Sequence, residues 1–521
     1  MARSKDDLTG RASSMATPIT RRGLLRGTLG SAGAIAAGGA IARGAAAQGE
    51  PLIVAQTADI LTLDPPMHRS RPTQNVHQLL YDSLVHRDET LQLRGQLAES
   101  WEAVDDTTYQ FKIRANATWH DGTPVRAQDV KFSYDRTLDP AMEAPRAGLL
   151  DMVASTEAPD DSTVVITTKQ PDPLVLVFLN YHAIVPMDQV TAQGDAFFEN
   201  PIGAGPFMFE SWTLNEQVVL QANPNYWDGQ PLVDTLIIRT IPDPATLLAE
   251  LESGGVDIVP ELPAAFFGQV QDNDDLTAVT SPSTVVHYTG LNTTMPPFDN
   301  VLVRQAMNHA VDKNAIVESL LQTLATPIAG PLFPEVRGFD PNVAGYEYNL
   351  DQAKARLEEA GLGSGFEATL DTTAPNKEVS EALAGMWSQI GVTVNVSVGE
   401  PGVLGEKINN GESQMWYSTW GDSTADAGVT LYRHFHSSQR ELFKDTGYSR
   451  PDLDQLIDEG RTALDMDARA EIFRQAYQMV VDDAPWVFLW QPMALAATRA
   501  NVNGFILRPD AYLFLHKVSK S

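Results

Sequence analysis

Between residues 378 and 398 the apolar pattern of the chain changes period once, and that change limits what it can fold into. In EVSEALAGMWSQIG, Val379, Leu383, Met386 and Ile390 fall on one helical stripe, and Gly391 is placed to end it. VTVNVSV follows, with Val392, Val394, Val396 and Val398 in strict alternation, the period of a strand. The same theme appears upstream. VRQAMNHAVDKNAIVESLL puts Val303, Ala306, Met307, Ala310, Val317, Leu320 and Leu321 on one helical face, and Asn349 is placed to cap a helix that Gly361 ends. Helix followed by strand, repeated, predicts α/β layers.

The amino-terminal half adds a strand over 52–56, a turn at Asp64-Pro65-Pro66, and a helix in QNVHQLLYDSLV carrying Val76, Leu79, Leu80 and Leu84. From 101 to about 199, short strands such as YQFKIR, the turn HDGTP and one helix near 129–138 predict a separate mostly β/α unit. The stretch 415–420, MWYSTW, reads as a further strand that runs into GDSTADA. Ligands of open α/β sheets bind outside the carboxyl ends of strands, so this aromatic and acidic junction is a candidate site.

A chain of 521 residues is several times longer than one hydrophobic core supports, which predicts two or more domains. The net charge of -30 argues against a nucleic-acid partner, since binding a phosphate backbone calls for clustered Lys and Arg. The first 47 residues differ from the rest, with seven Lys or Arg against two acids. There the pair Arg21-Arg22 precedes Leu24-Leu25-Arg26, a weakly apolar Gly/Ala run and AAAQ. This resembles a twin-arginine export signal cut after Ala47. The run is short, rich in Gly and broken by Arg43, so it is a poor membrane span. No cysteine is present, which excludes disulfides, thiolate metal sites, a Cys nucleophile and a lipid-modified Cys at the cut. The mature chain is expected free in a periplasm.

No G-x-S-x-G, H-E-x-x-H, phosphate-loop or dinucleotide fingerprint occurs. GAGPF at 203–207 reads as a tight turn. His434 and His436 share one face if they lie on a strand, but they lack a third ligand nearby. Asp422 and Asp426 do not have calcium-loop spacing, and no nucleophile accompanies them. A binding role accounts better for the same residues. Trp416, Tyr417 and Trp420 offer flat apolar surfaces, and Asp422, Ser423, Thr424 and Asp426 accept hydrogen bonds.

Taken in series, several stretches resemble the family 5 extracellular solute-binding proteins of ABC importers, the group that binds dipeptides, oligopeptides, nickel and glutathione. They are LTLDP (61–65), LAESWEAVDDTTYQFKIRANATWHDGTPVRAQDVKFSYDR (97–136), NPIGAGPFMFESW (200–212), NPNYWDGQPLVDTLIIRTIPD (223–243), LESGGVDIV (251–259), YTGLNTTMPPFDNVLVRQAMNHAVDKNAIV (288–317) and AKARLEEAG (353–361). The resemblance implies an α/β, two-lobed periplasmic-binding-protein fold of type II, with a hinge and an extra domain. It divides the chain into a signal peptide (1–47), lobe I (48–90, 200–295 and 495–521), the extra domain (91–199) and lobe II (296–494). It implies a monomer that needs no cofactor or metal, captures a small peptide or peptide-like solute, and hands it to inner-membrane permease subunits without chemistry. A nickel-type metal-chelate receptor and an exported hydrolase are the alternatives. The segment after LDP lines the cleft in peptide-binding members, which here nominates Arg69, Ser70, Arg71 and Thr73. Those members carry an acid three residues after the tryptophan matching Trp420, where it pairs with the peptide amine. Ser423 stands at that position here, and Asp422 or Asp426 is the expected replacement. STADA is more similar to the glutathione-binding branch.

Overall fold

The computed structural model describes residues 49–441 and 446–521; the export segment expected over 1–47, with Arg21 and Arg22, lies outside them. The strand Leu52–Gln56 is buried along almost its whole length, as expected of a parallel strand covered on both faces. It pairs in parallel with Thr235–Thr240 on one side and Ile258–Val259 on the other. Gln217–Ala222 and Phe207–Thr213 extend the sheet in antiparallel fashion. A second group of strands is built from Thr393–Val398, Glu367–Thr372, Met415–Gly421 and Val285–Leu291, in that order.

The strand Trp486–Arg499 joins the two groups. Its first half pairs with Val285–Leu291 and Ala325–Pro327, and its second half with Ile258–Val259 and Leu276–Pro282. Fourteen residues of one strand therefore serve two sheets, each with its own core. Leu52, Val76, Phe207, Leu236 and Ile258 pack in one core. Val303, Met307, Leu370, Leu383, Trp387 and Met415 pack in the other. A separate four-stranded antiparallel sheet, Ala98–Ala103, Thr108–Ile113, Thr163–Thr168 and Val153–Asp160, carries the helix Ala127–Leu138. Its core holds Phe111, Trp119, Tyr134 and Ile166.

Two helices differ from their sequence reading. The apolar face from Val303 to Leu321 is shared by two helices, Val301–His309 and Lys313–Ser319, because Asp312 caps the second by accepting from the Ala315 N–H at 3.0 Å. The helix expected to run through Leu84 is Arg71–Leu80 and stops at Tyr81. There the GAGPF backbone packs on the helix end, with the Gly205 N–H donating to the Leu80 carbonyl at 3.0 Å. A Cβ on Gly203 would lie 1.8 Å from the Leu80 oxygen, so the motif is a close backbone approach.

Candidate functional site

The strand Met415–Gly421 leads into a loop of five residues, and the helix Ala427–Phe435 begins directly after Asp426. Along the strand, Trp416 and Tyr417 are buried. The Trp416 indole lies over Gly290 on the neighbouring strand, where a Cβ would stand 2.3 Å from the ring. The Tyr417 hydroxyl meets Nδ1 of His287 at 2.6 Å. Both aromatics belong to the body of the protein. Trp420 is half-buried; its indole donates to the Thr430 hydroxyl at 2.9 Å and meets the His434 ring edge-on at 4.4 Å.

The two aspartates of the loop turn inward. Asp422 accepts from the Thr424 N–H at 2.9 Å, from the Thr424 hydroxyl at 2.5 Å and from the Thr430 hydroxyl at 3.1 Å. Burial raises its pKa to about 6, and the hydroxyl and amide donors restrain the rise. Asp426 caps the next helix by accepting from the Gly428 N–H at 2.8 Å. It also forms a two-pronged ion pair with Arg469, at 2.6 and 3.1 Å, and the Arg469 side chain is wholly buried. Every oxygen of the two carboxylates is thus engaged within the chain, and the expectation of a loop carboxylate free to take a ligand amine is not met by this arrangement.

Ser423 is the residue held from across the cleft. The Tyr181 hydroxyl donates to its Oγ at 2.9 Å, and the Arg87 guanidinium donates to the carbonyls of Ser423 and Thr424. Arg508 holds the Arg87 carbonyl at 2.6 Å and pairs with Asp510 through two contacts, at 2.9 and 2.6 Å. Sequence reading missed Arg87, Tyr181, Arg508 and Asp510. Arg508 and Asp510, two positions apart, offered a local cue; Arg87 and Tyr181 offered none.

The segment after LDP divides in two. Ser70 and Thr73 build the start of the helix Arg71–Leu80, Ser70 as its cap and Thr73 by accepting from the Leu61 N–H at 3.0 Å. Arg69 and Arg71 are exposed. Arg69 donates to the Pro145 carbonyl at 2.6 Å, and Arg71 pairs with Glu261 at 2.7 Å. Arg71 opens on a cleft of about 460 Å³ bordered by Thr57, Ser283, Thr284, Met493 and Asp510. Thr424, Ala425 and Asp426 open on a different one, of about 590 Å³, bordered by Arg87, Leu174, Glu335 and Arg337. Of the residues nominated from the sequence, Arg71 therefore lines the first cleft and Asp426 the second.

His434 and His436 do not share a strand face. His434 lies in the helix Ala427–Phe435 against Trp420 and Trp486, and His436 follows the helix end with Nδ1 at 2.7 Å from the Ser438 hydroxyl. Among the described residues no group of three or more His, Cys, Asp or Glu is placed to hold a metal ion.

The model of the bacterial extracellular solute-binding proteins, family 5, matches residues 92–441. The glutathione-binding protein GsiB of Pectobacterium atrosepticum is 30% identical over 88% of this chain and 92% of its own length. Among solved structures, HbpA2 of Haemophilus parasuis superposes with a TM-score of 0.83 at 27% identity, covering 90% of this chain and 100% of its own. The ABC transporter-associated periplasmic binding protein DppA of Helicobacter pylori, in complex with the peptide STSA, superposes with a TM-score of 0.73 at 25% identity, covering 90% of this chain and 98% of its own. With two sheets sharing one long strand, and with these matches along nearly its whole described length, the chain belongs to the family 5 bacterial extracellular solute-binding proteins.

Proposed function

We propose that this protein captures a small peptide or peptide-like solute, glutathione-like in size and polarity, between its two lobes in the periplasm and delivers it to an ABC permease. The observation that carries the reading is the contact of Arg87 and Tyr181 with Ser423 and Thr424, which closes the molecule beside two clefts. Support for the cargo class comes from relatives that are themselves named for glutathione and peptide binding. The lobes are assigned as 48–90, 200–295 and 495–521, and as 296–494, with 91–199 as the extra domain. Strand membership supports this division in part: Trp486–Arg499 pairs with strands of both groups, whereas Val285–Leu291, within the assigned first lobe, pairs only with strands of the second group and with the first half of Trp486–Arg499. No bond is made or broken, and the working form is a monomer. The precursor leaves the cytoplasm folded, through Arg21-Arg22, and is cut after Ala47; replacing both arginines by lysine should strand it in the cytoplasm, and mature protein in the periplasm would refute the assignment.

The test of function is native mass spectrometry of protein purified from the periplasm, followed by calorimetry with glutathione and with short peptides. A copurified peptide-like solute, returned chemically unchanged after hours with the protein, is the expected result. A copurified solute of another class, with no heat from any peptide, would overturn the proposal.

A further inference from the structure

In PDPLVLVFLN, residues 171–180, the helix Val175–Leu179 is apolar on every side. Val175 and Leu179 are buried in the core that also holds Phe111 and Tyr134. Leu176, Val177 and Phe178 are only half-buried, although a helix that is apolar all round is ordinarily covered all round. Leu174, Leu176 and Val177, together with Leu91, line the cavity of about 590 Å³ beside Thr424, and Val336 and Met466 line it from the assigned lobe II. Of its charged side chains, Asp426 is paired with Arg469, and Glu335 and Arg337 are exposed. Arg87 lines the same cavity and is 6% exposed. The two ends of its guanidinium donate to the carbonyls of Ser423 and Thr424, but its Nε is buried and has no hydrogen-bond partner among the described residues. A buried donor left unpaired is costly, and an acceptor brought in by a ligand relieves that cost.

The cavity depends on the closing contact. Arg87 and Thr424 are both part of its lining, so the volume is enclosed only while Arg87 holds the loop at Ser423 and Thr424. A group that fills it favours the closed form by its preference for that form over the open one. Filling it also removes from water the apolar side chains that the extra domain and lobe II contribute, a gain proportional to the area covered. The group that fits has an apolar body and, next to it, a neutral acceptor such as an amide carbonyl for the Arg87 Nε–H.

We infer that the solute carries a bulky apolar side group on its polar, peptide-like frame and seats that group in this cavity, so that Leu174, Leu176 and Val177 of the extra domain take part in choosing the cargo. The inference rests on the proposed peptide-like cargo, and its test separates the two. Ligand-stripped mature protein is titrated calorimetrically with trialanine, with the tripeptides in which one alanine is replaced by phenylalanine, and with glutathione and S-benzylglutathione. At least one substituted probe should bind about tenfold or more tightly than its parent, in keeping with burial of one aromatic group. Val177→Gln and Met466→Gln, one from each side of the cavity, should each bring that ratio close to one, and Val177→Leu should keep it. Where Val177→Gln fails to fold, Met466→Gln, at the half-buried start of the helix Met466–Asp483, carries the test. Equal affinity for parents and substituted probes, or a ratio that survives both glutamine variants, overturns the inference and leaves the peptide reading standing. If no peptide or glutathione probe binds, the peptide reading falls, and a melting-temperature series with phenylacetamide decides the cavity. Stabilisation that both glutamine variants remove keeps the apolar site; stabilisation that is absent, or unchanged in both variants, removes it as well.

Discussion

Asp422 and Asp426 are four residues apart, and their environments give them opposite electrostatic roles. Asp426 pairs with Arg469 and accepts from the amide it caps, so removing it leaves a buried guanidinium without its partner. Asp426→Ala should destabilise the protein by about 3 to 5 kcal/mol, the range for breaking a buried pair, read by urea unfolding at neutral pH. A loss below about 1 kcal/mol would mean that the pair is solvated. Asp422 has hydroxyl and amide donors but no cation, and burial lifts its pKa from the ordinary 3.8 to about 6. Because the folded state holds this proton more tightly than the unfolded state, Asp422 makes stability fall as pH rises from about 4 to about 6. A shift of this size corresponds to something on the order of 3 kcal/mol. Asp422→Asn removes the term, so the variant should gain on the wild type by about that amount between pH 4 and pH 7. Parallel pH profiles for the two proteins would show that the carboxylate is not desolvated.

At the scale of elements, the strand Met415–Gly421 depends on what lies beneath it. Gly290 gives the Trp416 indole its seat, and a methyl group there would stand 2.3 Å from the ring. Gly290→Ala should therefore destabilise by about 1 to 3 kcal/mol through overpacking, measured by thermal or urea unfolding; no change would place the ring elsewhere. This strand was legible from its aromatic run, and the strand Thr393–Val398 from its alternation, since both signals are local. Helix ends marked by Asn349, Gly361 and Gly391 were legible for the same reason: a cap or a left-handed residue acts within one turn. The break at Asp312 was not, because the apolar stripe continues through Ala310 and Val311, both buried, and masks the cap. The contacts that close the site were beyond local reading altogether. Arg87 and Ser423 are 336 positions apart, and Tyr181 and Ser423 are 242 apart, so only the assembled fold brings them together. The family pattern pointed to the loop but gave no sign that Arg469 takes Asp426 for itself.

For the whole molecule, the property that follows from these parts is sensitivity to acid. His68 and His182 are held at about 3, His86, His120 and His287 at about 4, and His77 well below its ordinary 6.5, with burial the largest cause in each case. They are distributed over the described chain from the first helix to the strand Val285–Leu291, so no single local opening relieves them all. The unfolded chain binds these protons at pH 6.5 and below, whereas the folded chain refuses those of His68, His86, His120, His182 and His287 until about pH 3 to 4, and each of these five imidazoles therefore withdraws about 1.4 kcal/mol per pH unit across that window. Asp82, raised to about 7, and Asp422, raised to about 6, work in the opposite direction, because burial makes the folded state the tighter proton binder. Asp129 and Asp172, also raised by burial, add to that opposition at the acid end. The imidazoles prevail by number, which leaves a net loss on the order of 3 to 5 kcal/mol per pH unit near pH 5. Against a folding stability of about 5 to 15 kcal/mol, that slope consumes the whole margin within a few units. Scanning calorimetry should accordingly show a melting temperature nearly constant from pH 8 to about 6.5 and a steep fall between about 6 and 4, with unfolding at room temperature near the lower end. A melting temperature that holds to pH 4 would mean that the imidazoles are hydrated in the folded protein, and that the closed, dry packing around His68, His77 and His182 opens in solution.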